Sequence, residues 1–328
     1  MKIGKLPEQV LLRSVLKQVK HRREEVLIGP AIGQDCAVME LKEDEVFVIS
    51  SDPITGTVKD IGSHGIYVTA NDLAAAGADP VGVILTILLP DYVEEPELRQ
   101  IMQDAEKTCK ELSMEILGGH TEISNVVRQP LLTVTGVGKT KKDSLLVTRQ
   151  VKAGQDVVIT KWIGLEGTSI LAKEKEEELL KVFHPGLIDT AKSFDQYLSV
   201  VTDAKVAREF GVSAMHDITE GGVFGALWEL AEGSGVGLDA DLKAIPIRQE
   251  TVEICEFFGV NPYILMSSGS MMIACDDGHG LVMALKKAGI PASVVGRTTD
   301  GNDRILRNGE DVRYLDRPQS DELYKVMG

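Results

Sequence analysis

Between residues 46 and 89 the chain changes texture twice, and that change limits what it can fold into. Val46-Phe47-Val48-Ile49 is a β-branched run that stops at Ser51-Asp52-Pro53, residues 62–77 are rich in alanine and read as a helix, and Val83 to Leu89 is a second β-rich run that stops at Pro90. Strands alternating with helices predict a layered α/β fold, with helices covering a sheet. The pattern continues on both sides. Leu12, Val15, Leu16 and Val19 take helical spacing behind Pro7, residues 95–113 form a further amphipathic helix, and strands are expected at 114–117 and 131–138.

The texture breaks near residues 148–156, after which Val157-Val158-Ile159-Thr160 opens a new strand. Helices are then expected at about 166–180, 188–209 and 221–233, with strands near 212–216, 264–266, 271–275 and 292–296. A chain of 328 residues is long for a single core. Two domains are expected, over residues 1–150 and 151–328.

The charge balance narrows the partners. Lysine and arginine total 35 against 50 acids, a net charge of −15, which argues against nucleic acid or an anionic membrane as partner. A phosphate-bearing substrate would have to be held locally, by metal ions and backbone N–H groups. No run of about 18 apolar residues occurs and no signal sequence is evident at the start, so a cytoplasmic protein is expected. Cys36, Cys109, Cys255 and Cys275 form no C-x-x-C pair and read as core residues of a reducing compartment.

Five polar stretches punctuate this framework. Gly29 to Ala37 holds two glycines, a proline and Asp35, and is either a simple turn or a loop whose backbone approaches a ligand. Ser50 to Gly56 puts Asp52 at the expected end of a strand, where a carboxylate either meets a ligand or marks the stop before Pro53. Asn71 and Asp72 precede Leu73-Ala74-Ala75-Ala76-Gly77, as helix caps or, because Gly65 to Ala70 is also helix-compatible, as polar residues inside the helix. Leu117 to Glu122 carries a double glycine followed by His120, Thr121 and Glu122, which suits either a phosphate-binding nest with a nearby carboxylate or a hairpin turn. Met215 to Gly225 joins a strand to an apolar helix whose N-terminal end attracts anions, with Asp217 and Thr219 as alternative caps.

Singly these marks are weak. Together they supply acidic residues and glycine-rich turns at strand ends, as Mg²⁺-dependent handling of a polyphosphate requires. No G-x-x-x-x-G-K-[ST] stretch is present, which excludes a P-loop.

The ordered set G-Q-D-C-A at 33–37, S-D-P-I-T-G at 51–56, N-D-L-A-A-A-G-A-D-P at 71–80, G-G-H-T-E at 118–122 and H-D-I-T-E-G-G at 216–222 resembles the aminoimidazole ribonucleotide synthetase superfamily. That group includes thiamine-monophosphate kinase, selenophosphate synthetase and the HypE-like hydrogenase maturation factors, and T-K-W-I-G-L-E-G-T at 160–168 is most similar to the HypE-like branch. The resemblance implies an N-terminal α/β domain whose strands pair across a homodimer, a C-terminal α/β domain, and ATP held with Mg²⁺. It implies metal ligation by Asp35, Asp52 and Asp72, with nucleotide contacts from Asn71 and from the backbone at Gly33, Gly118, Gly119, Thr121, Gly221 and Gly222. Asp217 and Thr219 would face the acceptor. Catalysis would be positioning and charge neutralisation.

Three departures qualify that expectation. HypE-like proteins act through a C-terminal cysteine on which a carbamoyl group is dehydrated, whereas this sequence ends Tyr324-Lys325-Val326-Met327-Gly328, so dehydration on its own tail is not expected. His120 stands where the kinase branch commonly has aspartate, which makes Glu122 the replacement metal ligand and His120 a catalytic candidate. Glu220 stands where arginine is frequent, which removes a positive charge from the turn. No reactive cysteine precedes Gly29, which disfavours selenophosphate synthesis. The expected activity is ATP- and Mg²⁺-dependent phosphorylation or activation of an oxygen acceptor, with a small-molecule kinase, or a nucleotide-binding scaffold without chemistry, as alternatives.

Overall fold

Glycine decides how closely the alanine-rich helix expected near residues 62–77 meets its sheet. A computed structural model describes residues 4–5, 8–30, 37–54 and 60–327, and its contacts divide the chain into two units, residues 1–74 with 78–145 and residues 75–77 with 146–328. The first unit contains β1 (Gly4–Lys5), α1 (Glu8–Ser14), β2 (Val26–Ile28), β3 (Val38–Met39), β4 (Glu45–Ile54), α2 (Ile61–Ala75), β5 (Asp79–Leu89), α3 (Glu95–Glu111), β6 (Glu115–Ile123) and β7 (Leu131–Lys141). Its main sheet has the order β1-β6-β5-β7-β4, with β5 parallel to β6 and antiparallel to β7. A Cβ at Gly65 would lie 2.7 Å from Val134 Cγ2, and one at Gly136 would lie 2.3 Å from Thr69 Cγ2, so α2 and β7 touch through positions that tolerate no side chain. A Cβ at Gly62 would lie 2.3 Å from the carbonyl of Ile101, which sets α2 equally close to α3.

Burial alternates along β4 and β7, with Leu132, Val134 and Gly136 covered while Phe47, Ile49 and Thr135 point to the other face. Ile49 is 65% exposed on that open face, where Ile84 of β5 is exposed as well. Glu25 fastens the start of the unit to β7. Its carboxylate meets Arg23 at 2.8 Å and Lys139 at 3.0 Å, and these cations hold its carboxyl down at about 2.

The second unit contains β8 (Asp156–Thr160), α4 (Leu165–Glu174), α5 (Glu176–Leu179), α6 (Pro185–Lys192), α7 (Val201–Phe210), β9 (Ala214–Ile218), α8 (Gly222–Ser234), β10 (Gly237–Asp241), α9 (Gln249–Phe258), β11 (Ser270–Cys275), α10 (Gly278–Lys287), β12 (Ala292–Thr299), β13 (Arg304–Asn308), β14 (Asp311–Tyr314) and α11 (Leu323–Met327). Its sheet has the order β14-β13-β10-β12-β8-β11-β9. Every residue of β11 is buried, as expected for a strand covered on both faces. Val157, Ile159, Met272 and Ala274 enter one core with Val223, Leu227 and Leu230 of α8. A second core joins Leu171, Ile188, Ile254 and Leu265 to Leu323.

Several expected boundaries move. β4 does not stop at Ser51 but runs through Asp52 and Pro53 to Ile54, because it is an edge strand in which the missing N–H of proline costs no interior hydrogen bond. The helix expected over 188–209 is three pieces, α6, a 3₁₀ turn at Ser193–Tyr197, and α7. Residues 264–266 form no strand; their backbone serves loop contacts, with Gly167 N–H on Met266 O and Glu322 N–H on Ile264 O. Cys109, Cys255 and Cys275 are buried free thiols, and burial pushes Cys255 up to about 12 and Cys275 to about 11, as suits core residues. Among the described residues no helix is long and apolar enough to cross a membrane.

Candidate functional site

In the first unit, period-2 alternation puts Ser50 and Asp52 on the face of β4 that α2 covers, and α2 brings Asp72 to the same place. The Ser50 hydroxyl donates to Asp72 Oδ2 and lies 3.2 Å from Asp52 Oδ2. One hydroxyl carries one proton, so it serves one carboxylate at a time while a second acidic oxygen stays close. Asn71, one residue before Asp72, is fully buried. Because α2 extends from Ile61 to Ala75, both residues lie inside the helix and are not its caps. Oxygen donors of this kind, two carboxylates and a hydroxyl, match the preference of Mg²⁺, which is usually held by one or two carboxylates together with waters and substrate phosphates. No group of three or more His, Cys, Asp and Glu side chains suited to a metal occurs among the described residues. Gly33 and Asp35 lie outside the described residues, as do Thr55 and Gly56 of the second polar stretch.

The G-G-H-T-E stretch sits elsewhere. Gly118 and Gly119 fall in the middle of β6 and make neither a nest nor a hairpin. Gly119 is required there, since a Cβ would lie 1.9 Å from the carbonyl of Leu85 in the parallel neighbour β5, whereas a Cβ on Gly118 meets nothing within 4 Å. Thr121 is buried on the helix-covered face, while His120 and Glu122 project from the open face, where His120 Nε2 lies 3.2 Å from Glu122 Oε2. The structure therefore gathers Asp52 with Asp72 and pairs His120 with Glu122 on the other side of the sheet.

In the second unit Asp217 is buried near the end of β9 and Thr219 follows the strand. The Thr219 carbonyl accepts from Gly222 N–H at 3.1 Å and from Ser267 N–H at 3.3 Å, which ties the turn to the loop before β11. Gly221 (φ 84°) and Gly222 (φ 61°) both take the left-handed region, and a Cβ at Gly222 would lie 2.7 Å from the Tyr263 carbonyl. The N-cap position of α8 is Gly221. The carboxylate of Asp321, 1% exposed, accepts from Gly221 N–H at 2.8 Å and from its own chain at Leu323 N–H at 2.9 Å, and the Met266 amide also reaches it. Burial nevertheless keeps the Asp321 carboxyl above its ordinary range, with Glu166 adding repulsion.

Two of these participants were not singled out by sequence reasoning. Ser50 was detectable, since period 2 places it beside Asp52; Asp321 carries no local signal, because its partner Gly221 is a hundred residues away.

Two mixed α/β units, one with paired acidic side chains and one with a glycine-rich helix entry, define a class of fold that comparison identifies. Residues 33–140 match the N-terminal domain, and residues 152–307 the C-terminal domain, of the AIR synthase related proteins. The chain belongs to that family. It is 25% identical to a putative hydrogenase expression/formation protein of Methanocaldococcus jannaschii over 98% of this chain and 97% of that protein. It is 27% identical to the carbamoyl dehydratase HypE of Rhodobacter capsulatus over 73% of this chain and 69% of the relative. The fold matches a hydrogenase maturation protein HypE solved in complex with ATP, at a TM-score of 0.75 and 18% identity, covering 96% of this chain and 95% of that one.

Proposed function

We propose that this HypE-like chain binds ATP with Mg²⁺ and uses it to phosphorylate, or to activate for departure, an oxygen on an acceptor molecule. The observation that carries the reading is the gathering of Asp52 and Asp72 around the Ser50 hydroxyl, where two like charges in one partly buried place favour a divalent cation. The HypE solved with ATP supports the choice of nucleotide. Bound Mg²⁺ would neutralise charge on the transferring phosphoryl group.

The chain's own residues then have separate tasks. Asp52 and Asp72 hold the cation, with Asp35 as a third ligand on the strength of its motif. Ser50, by donating to Asp72, orients that carboxylate. Asn71, buried beside Asp72, orients the phosphates, and Gly33 leaves the backbone open to them on the strength of its motif; Gly118 shares the open face of β6 with His120 and Glu122 and is not part of this set. Asp217 and Thr219 are assigned to the acceptor. His120 and Glu122, on the open sheet face, are outside the Asp52–Asp72 donor set.

Calorimetry with ATP and Mg²⁺ tests the reading. Saturable binding that disappears without Mg²⁺ and is lost in Asp72→Asn is expected. Absence of binding at millimolar nucleotide would overturn it.

A further inference from the structure

Aromatic residues are scarce in this chain, yet three of its seven phenylalanines meet at one place on the surface of the second unit. Phe257 and Phe258 end α9 with ring centroids 4.8 Å apart, and Phe183 packs edge-on against Phe257 at 5.7 Å. The turn that carries Phe183 follows α5. Leu179, the last residue of α5, is fully buried, and its carbonyl accepts the N–H groups of Val182 and Phe183. That tight turn leaves Leu180 and Val182 outside the core, 43% and 64% exposed, while Phe257 is 38% exposed. The charge around these apolar groups has mostly one sign. Residues 176–183 and 253–258 carry five glutamates and one lysine, Lys181. Lys192 pairs with Glu176, but Glu177, Glu178, Glu253 and Glu256 have no ion pair among the described residues. α9 also ends here, presenting the negative end of its dipole with no basic residue in its last turn. An apolar patch centred on aromatic rings and rimmed by charge has the anatomy of a binding surface.

We propose that this surface, Leu180, Val182 and Phe257 within their rim of glutamates, docks a basic amphipathic helix of a partner protein. The apolar stripe of such a helix covers the three wet side chains, and its flanking cations face Glu177, Glu178 and Glu256 and the end of α9. An arginine among them can also lie over the Phe257 ring. A second copy of this chain fits less well, because a symmetric contact would bring the same glutamates face to face. An anionic membrane is repelled for the same reason. The proposal does not rest on the nucleotide reading.

Fluorescence anisotropy with a labelled synthetic peptide tests it. The probe is a lysine-rich helix of about 18 residues with leucines at positions i, i+3, i+4 and i+7. The full chain is expected to bind it saturably. A scrambled peptide of the same composition keeps the charge and loses the stripe, so it should bind at least about tenfold more weakly. Val182→Ser, at the most exposed of the three apolar positions, is expected to weaken binding about tenfold with an unchanged melting curve. Phe257→Ser should weaken it at least as much. Glu177→Gln combined with Glu256→Gln should weaken it about threefold and flatten its salt dependence. Asp72→Asn should bind the peptide as the parent chain does, which keeps this test distinct from a failure of the ATP reading. The inference is overturned if the peptide does not bind at millimolar concentration, if the scrambled peptide binds equally, or if Val182→Ser leaves the affinity unchanged. Sedimentation showing self-association that Val182→Ser abolishes would overturn it as well, by giving the face to a second copy.

Discussion

The two double glycines of this chain share a spelling and little else. Gly118–Gly119 lies in mid-strand, where Gly119 lets β6 pair closely with β5 and Gly118 meets nothing. Gly221–Gly222 forms a true helix entry, with both residues at positive φ and a carboxylate on the first amide. The polar groups around them differ in sign as well. In the first unit acidic side chains collect and favour a cation; in the second, backbone donors collect and receive an anion that the chain provides. A glycine pair in sequence thus reports close backbone approach, and only the neighbouring element tells whether a strand or a ligand does the approaching.

The largest expected effect separates the glycines themselves. Gly119→Ala forces a Cβ to within 1.9 Å of the Leu85 carbonyl, so β5 and β6 must part, and destabilisation of about 3 kcal/mol or more is expected by urea unfolding. Gly118→Ala has open space and should stay within about 0.5 kcal/mol. Equal effects at the two positions would erase the comparison.

Asp72→Asn should come next, and on function alone. Loss of one charged ligand is expected to weaken Mg²⁺-ATP binding by about 2–3 kcal/mol, roughly hundredfold. Stability should hold or rise slightly, because the variant removes one of two like charges beside Ser50. Calorimetry paired with a melting curve checks both halves. Unchanged affinity would remove Asp72 from the site.

Much of the first unit was legible because its signals are local. α2, α3 and β5 announce themselves through periodicity and composition within a dozen residues, and the motif order marks Asp52 and Asp72 before any contact is known. What escaped was decided by neighbours. Pro53 reads as a strand terminator, yet β4 lies at the sheet edge and passes through it. For Asn71 and Asp72 the sequence left two readings, caps or helix interior, and α2, starting at Ile61 as the helix expected over 62–77 requires, decides for the interior. In the second unit α9, α10 and the strands β10, β13 and β14 went unread, and Asp321 was invisible because its role depends on a fold that joins positions 221 and 321.

That long-range contact has a smaller but measurable worth. Asp321→Ala leaves the N–H of Gly221, the residue that opens into α8, without its acceptor, and loss of about 1 kcal/mol is expected, the usual scale for a helix N-terminal cap. Thr219→Ala leaves the backbone contacts of its carbonyl intact and should cost less. If Thr219→Ala were the more damaging in urea, the capping role assigned to Asp321 would fail.

Acid should act on the two units in opposite directions. Glu25, held at about 2 by Arg23 and Lys139, has an ordinary value of 4.5, so its contribution to the first unit is complete above about pH 4.5 and is lost as pH falls towards 2. Asp321 is shifted the other way by burial, so its protonated form binds the folded second unit preferentially, and that unit gains stability as pH falls through the raised value. After correction for intrinsic rates, hydrogen exchange between about pH 5 and pH 3 should show β7 amides losing no more than about 1 kcal/mol of protection, the scale of a partly solvated ion pair. The first turn of α8 should lose none. Glu25→Gln should flatten the response of β7 and leave α8 unchanged; an equal loss in both units would mean that acid reads the net charge of the whole chain and not these two carboxylates.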